Sequence, residues 1–477
     1  MATGSELIGM TACTVVGHLK QGEITPLELL DAVEERIAAV DPVVNALPTL
    51  CLDRARDRAR ALMQRPLGER GILGGLPLPI KDLTDVASVL TTHGSPIYAD
   101  NIPDSSDIVV DTIESEGGIV FGKSNVPEFG AGGNTFNEVF GATLNPWDIS
   151  RSASGSSGGA AVALATGMAW VAHGNDMGGS LRNPASFCGI VGLRPSPGRV
   201  ARTPGVLVDS LLGTDGPMAR NIADTALFLD ALCGENPLDP LSLPRLSTRF
   251  LDAAQQPRKP LRVAFSADLG ITPVDPEVAA ICRAAADRLA ASGVDVVETH
   301  PDLSDTHEVF QTLRAFQYAA SHSQKLRDFP ELLKPEMVWN IRKGQKLSAA
   351  EIIDAQAKRA RMIARTVAFF DTFDLLLTPA TIVSAFPVGE RYPTECDGQK
   401  FDTYIDWLAI AFAITLTTAP ALSMPCGLTR YGMPVGLQVI ARPRNEAGLL
   451  AHAAFIEELL GMTIRKPMDP KRTHRDL

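Results

Sequence analysis

Two rhythms of apolar residues alternate along this chain. Stretches with one apolar stripe at helical spacing are separated by short continuous apolar runs, the pattern of a sheet whose faces are covered by helices. The first helical stretch carries its own start signal. In Thr25-Pro26-Leu27-Glu28 a threonine cap, a proline at the first helical position and a capping-box glutamate follow one another. Leu29, Leu30, Val33 and Ile37 then form one apolar stripe, which predicts a helix over 26–40. Farther on, 76–83 reads as a strand, 107–116 as a helix, 119–122 as a strand and 160–167 as an alanine-rich helix. Residues 170–173 and 190–193 read as further buried strands. The glycine-rich loops lie between these elements, where a rigid scaffold can hold chemical groups.

Past Arg202 the pattern changes. Residues 234–260, rich in Pro, Leu, Arg and Gln, read as a surface excursion before a strand over 261–265. Asp275-Pro276 opens a helix to about residue 291, and 294–298 returns as a strand. Residues 302–372 are mostly helical, with a second capping box at Ser348-Ala349-Ala350-Glu351. Strands are predicted at 374–378, 421–424 and 435–440, and a closing helix over 445–460 stops at Gly461. Segments from both ends of the chain therefore complete one sheet. The expected fold is α/β, a single large domain with a central mixed, twisted sheet covered by helices on both faces.

Composition narrows the picture by exclusion. The 477 residues, 45% hydrophobic, are enough for a large core. A net charge of -11 lacks the basic footprint that phosphate backbones demand, so small molecules rather than nucleic acids are the expected partners. The longest apolar stretches, 160–172 and 407–416, fall short of the roughly 20 residues that cross a bilayer. The N-terminus shows no basic start, apolar run and cleavage site, and the expectation is a cytoplasmic protein with no membrane association. Seven cysteines without CxxC spacing read as reduced thiols. His93 and His173 come without a carboxylate spacing or an H-E-x-x-H pattern and read as packing or hydrogen-bonding residues, so no metal or organic cofactor is expected.

The candidate chemistry sits in three places. Lys81 ends the apolar run Leu76-Pro77-Leu78-Pro79-Ile80, Ser156 lies in Ser154-Gly155-Ser156-Ser157-Gly158-Gly159, and Ser180 lies in Asn175-Asp176-Met177-Gly178-Gly179-Ser180-Leu181-Arg182. The run 155–159 also fits G-x-S-x-G, with Ser157 at its centre. A nucleophile elbow should follow a strong strand, however, and 143–155 is polar and turn-rich. A second glycine-flanked serine and an upstream lysine instead suggest a serine hydrolase that needs no histidine.

With these motifs the chain resembles the amidase signature family. Asn145-Pro146-Trp147-Asp148, the glycine-serine loop, the run from Pro184-Ala185-Ser186-Phe187-Cys188-Gly189 to Arg194-Pro195, and Gly432-Met433-Pro434-Val435-Gly436 carry the likeness over nearly the whole chain. The resemblance implies Ser180 as nucleophile, Ser156 in a cis peptide as proton relay and Lys81 as general base, then acid. It implies backbone N–H groups of Met177, Gly178, Gly179 and Ser180 as the oxyanion hole. Ser157, Asp176 and Arg182 would support these groups, the last two as an ion pair bracing the loop. A free lysine is a poor base at neutral pH, so Lys81 must be desolvated. Asp82, next to it on a strand, would point to the opposite face. Two departures stand out: Ser154-Gly155 where the family commonly has Gly-Gly, and Gly174-Asn175-Asp176 where it commonly has Gly-Thr-Asp.

The implied organisation is one domain over 1–477: a helical region over 1–70, a catalytic core over 71–202, a partly helical substrate-side region over 203–372, and sheet-completing strands and helix over 373–477. Glu128, Phe129 and Gly155 are expected at the substrate site; Trp339, with Phe310, Leu313, Phe316 and Tyr318, belongs to an apolar, mostly aromatic stripe that reads either as core, the commoner use of such spacing, or as a lid over the site. The implied activity is hydrolysis of a linear carboxamide, with aryl amides, esters or carbamates as related substrates. The alternatives are a glutamine amidohydrolase similar to the glutamine-hydrolysing component of the tRNA-dependent amidotransferase complex, and a catalytically dead scaffold, which should lack one of the three groups. A homodimer is an expectation from the resemblance alone.

Overall fold

The computed structural model describes residues 3–462 and 466–471. Its centre is an eight-stranded sheet. Across it run Asp295–Glu298, Arg262–Phe265, Leu375–Pro379, Pro434–Ile440, Ala421–Leu428, Val191–Arg194, Thr214–Ala219 and Val171–Asp176. The first three strands pair in parallel and every later neighbour pairs antiparallel, which makes the sheet mixed. Its two middle strands come from the last part of the chain. A smaller sheet joins Thr49–Leu50, Ile119–Ser124 and Pro77–Lys81, and the last of these strands lies alongside Val171–Asp176 at the edge of the large sheet.

Strand alternation explains how one sheet supports two apolar cores. Val263, Phe265, Leu375, Leu377 and Val439 face one core, which also takes Leu29 and Val33 of the helix Pro26–Val44 and Leu450 and Ile456 of the closing helix Glu446–Leu460. Ala264, Leu376 and Ile440 face the other, packed against Phe310, Met362 and Phe412. Truncating a core leucine such as Leu376 to alanine would cost about 2–5 kcal/mol. Both predicted capping boxes form, with the Thr25 and Ser348 side chains accepting from the backbone N–H of Glu28 and Glu351. The closing helix ends on Gly461, whose φ of 63° is left-handed.

Several elements differ in extent from the reading of the sequence. The first long helix continues to Val44, and the strand expected over 170–173 runs on to Asp176, which carries Asn175 and Asp176 to the sheet end. The strand Thr214–Ala219 and the helix Ile222–Leu232 had no prediction. Thr214-Asp215-Gly216-Pro217 has the composition of a turn, yet it is buried and paired residue by residue with Val171–Asp176. The apolar stretch 407–416 is mostly the buried helix Ala409–Leu416. The excursion 234–260 contains only the short helix Phe250–Ala254. No helix among the described residues is long and apolar enough to cross a membrane.

Candidate active site

The site lies where strand ends meet glycine-rich loops. Pro77–Lys81 ends on Lys81, and the parallel neighbour Ile119–Ser124 places Lys123 opposite Ile80. Two fully buried lysines thus sit on adjacent strands, with different partners. Lys123 Nζ lies 3.6 Å from Asp82 and donates to Thr84 O and Thr91 Oγ1. Asp82 also accepts from the Thr92 N–H and hydroxyl, which fixes it away from Lys81. Lys81 has no carboxylate within ion-pair distance among the described residues. Its Nζ donates to Ser156 Oγ at 2.7 Å and to Asn175 Oδ1 at 2.7 Å. Burial pushes its ammonium down to about 7, against the opposing fields of Asp176 and Asp215.

Ser156 is held by a clamped loop. The Gly155-Ser156 peptide is cis. Ser154 has a φ of 60°, a left-handed conformation usually left to glycine, and its hydroxyl donates to Gly133 O. Thr135 grips the loop twice, donating from Oγ1 to Ser154 O and accepting from the Gly158 N–H. The helix Gly158–Thr166 starts immediately afterwards. At Gly159 an added Cβ would lie 2.3 Å from Asn125 N and 2.5 Å from Ala46 O, so no larger residue fits there. Ser157 is buried behind the loop, and its N–H donates to Ser180 O at 3.2 Å. That bond joins the two serine loops directly.

The second loop is built around Asp176. Arg182, at the start of the helix Arg182–Cys188, meets it through two bonds, Nε to Oδ2 at 3.0 Å and Nη2 to Oδ1 at 2.8 Å. Both residues are fully buried. Burial alone would raise the Asp176 carboxyl, but Arg182 and Arg194 hold it well below the ordinary carboxylate range. The same carboxylate accepts from the N–H groups of Gly179 at 3.0 Å and Leu181 at 3.1 Å, folding the loop back over it. This corrects one expectation. The Gly179 N–H is donated to Asp176 and so is not free for an oxyanion. Arg182 is itself anchored from across the sheet, by Gln438 Oε1 at 2.6 Å and Ala411 O at 2.8 Å.

Ser156 and Ser180 open together into a cleft of about 260 Å³. Its floor adds Asn175, Asp176, Met177 and Gly178; its far wall is the helix Thr306–Asp328, through Phe310, Arg314, Gln317, Tyr318, Ser321 and His322. Of the expected substrate residues, Phe129 lines the cleft beside His93. Glu128 does not: its carboxylate is buried and accepts from the Ser95 hydroxyl and the Lys334 N–H. Gly155 backs the loop against Thr135. Trp339 is also displaced. It sits on the helix Pro335–Gln345 in a separate groove, edge-on to Tyr404 and beneath the Lys343 ammonium. That helix packs so closely on Thr306–Asp328 that a Cβ at Gly344 would fall 2.0 Å from Ala315 O.

Sequence reasoning missed Asn175, Arg202, Arg314 and His322 as cleft residues. Asn175 had a signal, since it is one of the two departures from the family pattern. Of the two histidines singled out in the sequence, His93 lines the cleft and burial pushes it down to about 4, while His173 is buried against Asp215.

Comparison with known proteins places the chain among relatives. The Amidase family model matches residues 28–450. The chain belongs to the Amidase family. This amidase is 33% identical over 476 residues to the acylamidase of Rhodococcus erythropolis, a match covering 98% of this chain and 99% of the relative. It is 34% identical over 490 residues to the A-type subunit of glutamyl-tRNA(Gln) amidotransferase from Moorella thermoacetica, covering 97% of this chain and 99% of that protein. Among solved structures, a bacterial aryl acylamidase of the amidase signature enzymes superposes with a TM-score of 0.88 at 26% identity, over 95% of this chain and 96% of that one. The amidase is a hydrolase of carbon–nitrogen bonds.

Proposed function

We propose that this amidase hydrolyses linear carboxamides through an acyl-enzyme on Ser180, with Ser156 as proton relay and Lys81 as general base. The observation that carries the reading is the 2.7 Å bond from a buried, carboxylate-free Lys81 to Ser156. A lysine titrating near 7 is substantially neutral at the working pH of most enzymes, which is what a general base requires. Ser180 Oγ attacks the amide carbon while its proton passes to Ser156, and the Ser156 proton passes to Lys81. The new C–O bond leaves the carbonyl oxygen negative, facing the N–H groups of Met177, Gly178 and Ser180. Such donors typically contribute about 2.7–4 kcal/mol each to lowering the barrier. Collapse breaks the C–N bond as the relay returns a proton to the amine. Water, activated by the same relay, then releases the acid. The same steps serve esters and carbamates.

Support for a free-standing amide hydrolase comes from the acylamidase relative and the aryl acylamidase structure. Similar identity to an amidotransferase component supports a second reading, in which glutamine is the ammonia source for a complex. One experiment separates them. The purified chain is mixed with aryl and aliphatic amides, an ester, a carbamate and glutamine, and analysed by intact-protein mass spectrometry and peptide mapping. An acyl adduct from amides on Ser180, absent in Ser180→Ala, is the expected result. An adduct from glutamine alone would favour the second reading, and an adduct on another residue would refute the nucleophile.

A further inference from the structure

The helical wall of the cleft carries a charge that its surroundings do not neutralise. Arg314 is 4% exposed and lines the cleft. Its Nη1 donates to Asn340 Oδ1, and its Nη2 donates to the hydroxyls of Tyr318 at 3.2 Å and Tyr404 at 2.6 Å. All three partners are neutral; burial pushes the Tyr404 phenol up to about 12, so it solvates the guanidinium without cancelling its charge. No ion pair to Arg314 forms among the described residues. The neighbouring carboxylates are committed elsewhere: Glu336 to Arg391, Glu128 to Ser95 and the Lys334 backbone, Asp406 to Thr403 and Gln311, Asp215 to Arg202 and His173.

A buried charge without a counter-ion is costly, whereas a charge-assisted bond to a carboxylate is among the stronger polar contacts. Arginine has five N–H donors, and the three bonds above leave two for a ligand. The helix also fixes where such a ligand would lie. Phe310 abuts the oxyanion loop, its ring 3.3 Å from where a Cβ on Gly178 would stand. Arg314 follows one turn later, about 6 Å along the helix axis.

We infer that Arg314 binds a carboxylate of the substrate, so that the preferred amides are anionic and carry that group a short spacer from the scissile carbonyl. The inference rests on the amide-hydrolase reading above for the word substrate, but the anion site can be tested without turnover. The Ser180→Ala protein is titrated calorimetrically with succinanilate and with 4-oxopentananilide, in which a methyl ketone replaces the carboxylate. A third probe, 4-(butyrylamino)benzoate, carries the carboxylate on the amine side. At least one anionic probe is expected to bind roughly ten- to a hundredfold tighter than the neutral one. Which one does so assigns the carboxylate to the acyl or amine part. Arg314→Gln should abolish the preference and Arg314→Lys should keep part of it. Equal binding of anionic and neutral probes overturns the inference even if Arg314→Gln fails to fold, as does a preference that survives in a folded Arg314→Gln protein. Release of aniline by the wild-type enzyme completes the separation. Tight anionic binding without hydrolysis would sustain the anion site and sink the amide reading, whereas hydrolysis with equal binding would do the reverse.

Discussion

The two walls of the cleft are built on different principles. On the strand-end wall, position comes from buried polar bonds: Lys81 to Ser156 and Asn175, Thr135 to the first serine loop, and Asp176 to Arg182 and two backbone N–H groups. On the opposite wall, position comes from one helix face, in which Phe310, Arg314, Tyr318 and His322 recur at successive turns. Phe310 stacks on Phe412 with ring centroids 4.1 Å apart, Arg314 bonds Asn340, Tyr318 and Tyr404, and His322 packs against Phe129 and Tyr318. The first wall tolerates little change because its bonds tie Lys81, the two serine loops and Asp176 to their supports. The second can vary residue by residue without disturbing the chemistry opposite, which is where a family with many substrates would place its selectivity.

Substitutions can break this contrast at graded cost. The largest loss is expected for Lys81→Met, about 10⁴-fold in kcat, because members of one proton relay fail together. The intact enzyme should also show an acid limb near pH 7. Below that value Lys81 is protonated and cannot accept a proton, so kcat/KM falls about tenfold per pH unit, while above it the neutral form dominates. A limb that persists unchanged in the residual activity of Lys81→Met would assign the titration to another group. Next comes Arg182→Leu, which removes the two-bonded partner of the buried Asp176 carboxylate and leaves Arg194, at 3.4 Å, as its one cation among the described residues. It should cost about 3–5 kcal/mol of stability, read as a lowered Tm or denaturation midpoint, together with reduced kcat as the loop loosens. Normal stability with normal turnover would show that the loop does not depend on this pair. The smallest effect is expected for Trp339→Ala. Since the ring lies outside the cleft, the ratio of turnover between a bulky aryl amide and a small aliphatic amide should stay within about twofold, the surface-substitution range. A larger change would return Trp339 to the substrate site.

Much of the strand-end wall was legible in the sequence, because glycine, serine and lysine at fixed offsets have few structural uses in common. The capping boxes at Thr25 and Ser348 and the stop at Gly461 were readable for a similar reason, as each is a local backbone event with its own residue requirement. Thr214–Ala219 was hidden because Asp, Gly and Pro signal a turn, and only pairing with Val171–Asp176 overrides them. The direction of the Gly179 N–H was hidden too, since it depends on where Arg182 draws the Asp176 carboxylate. On the helical wall, Phe310 and Tyr318 belonged to a recognised stripe, but the same logic swept in Trp339. Periodicity says which residues share a face; it does not say which neighbour that face meets.

The arrangement of the central sheet has a consequence for how the enzyme comes into being. Pro434–Ile440 and Ala421–Leu428 lie between Leu375–Pro379 and the much earlier Val191–Arg194, and Gln438 reaches from there to Arg182 beneath the second serine loop. A chain emerging from the ribosome therefore exposes Lys81, Ser156 and Ser180 long before the support for that loop has been synthesised. On the proposed mechanism, nucleophile and base are translated first and made competent last, so the growing polypeptide would stay chemically silent until its final strands are threaded into the middle of the sheet.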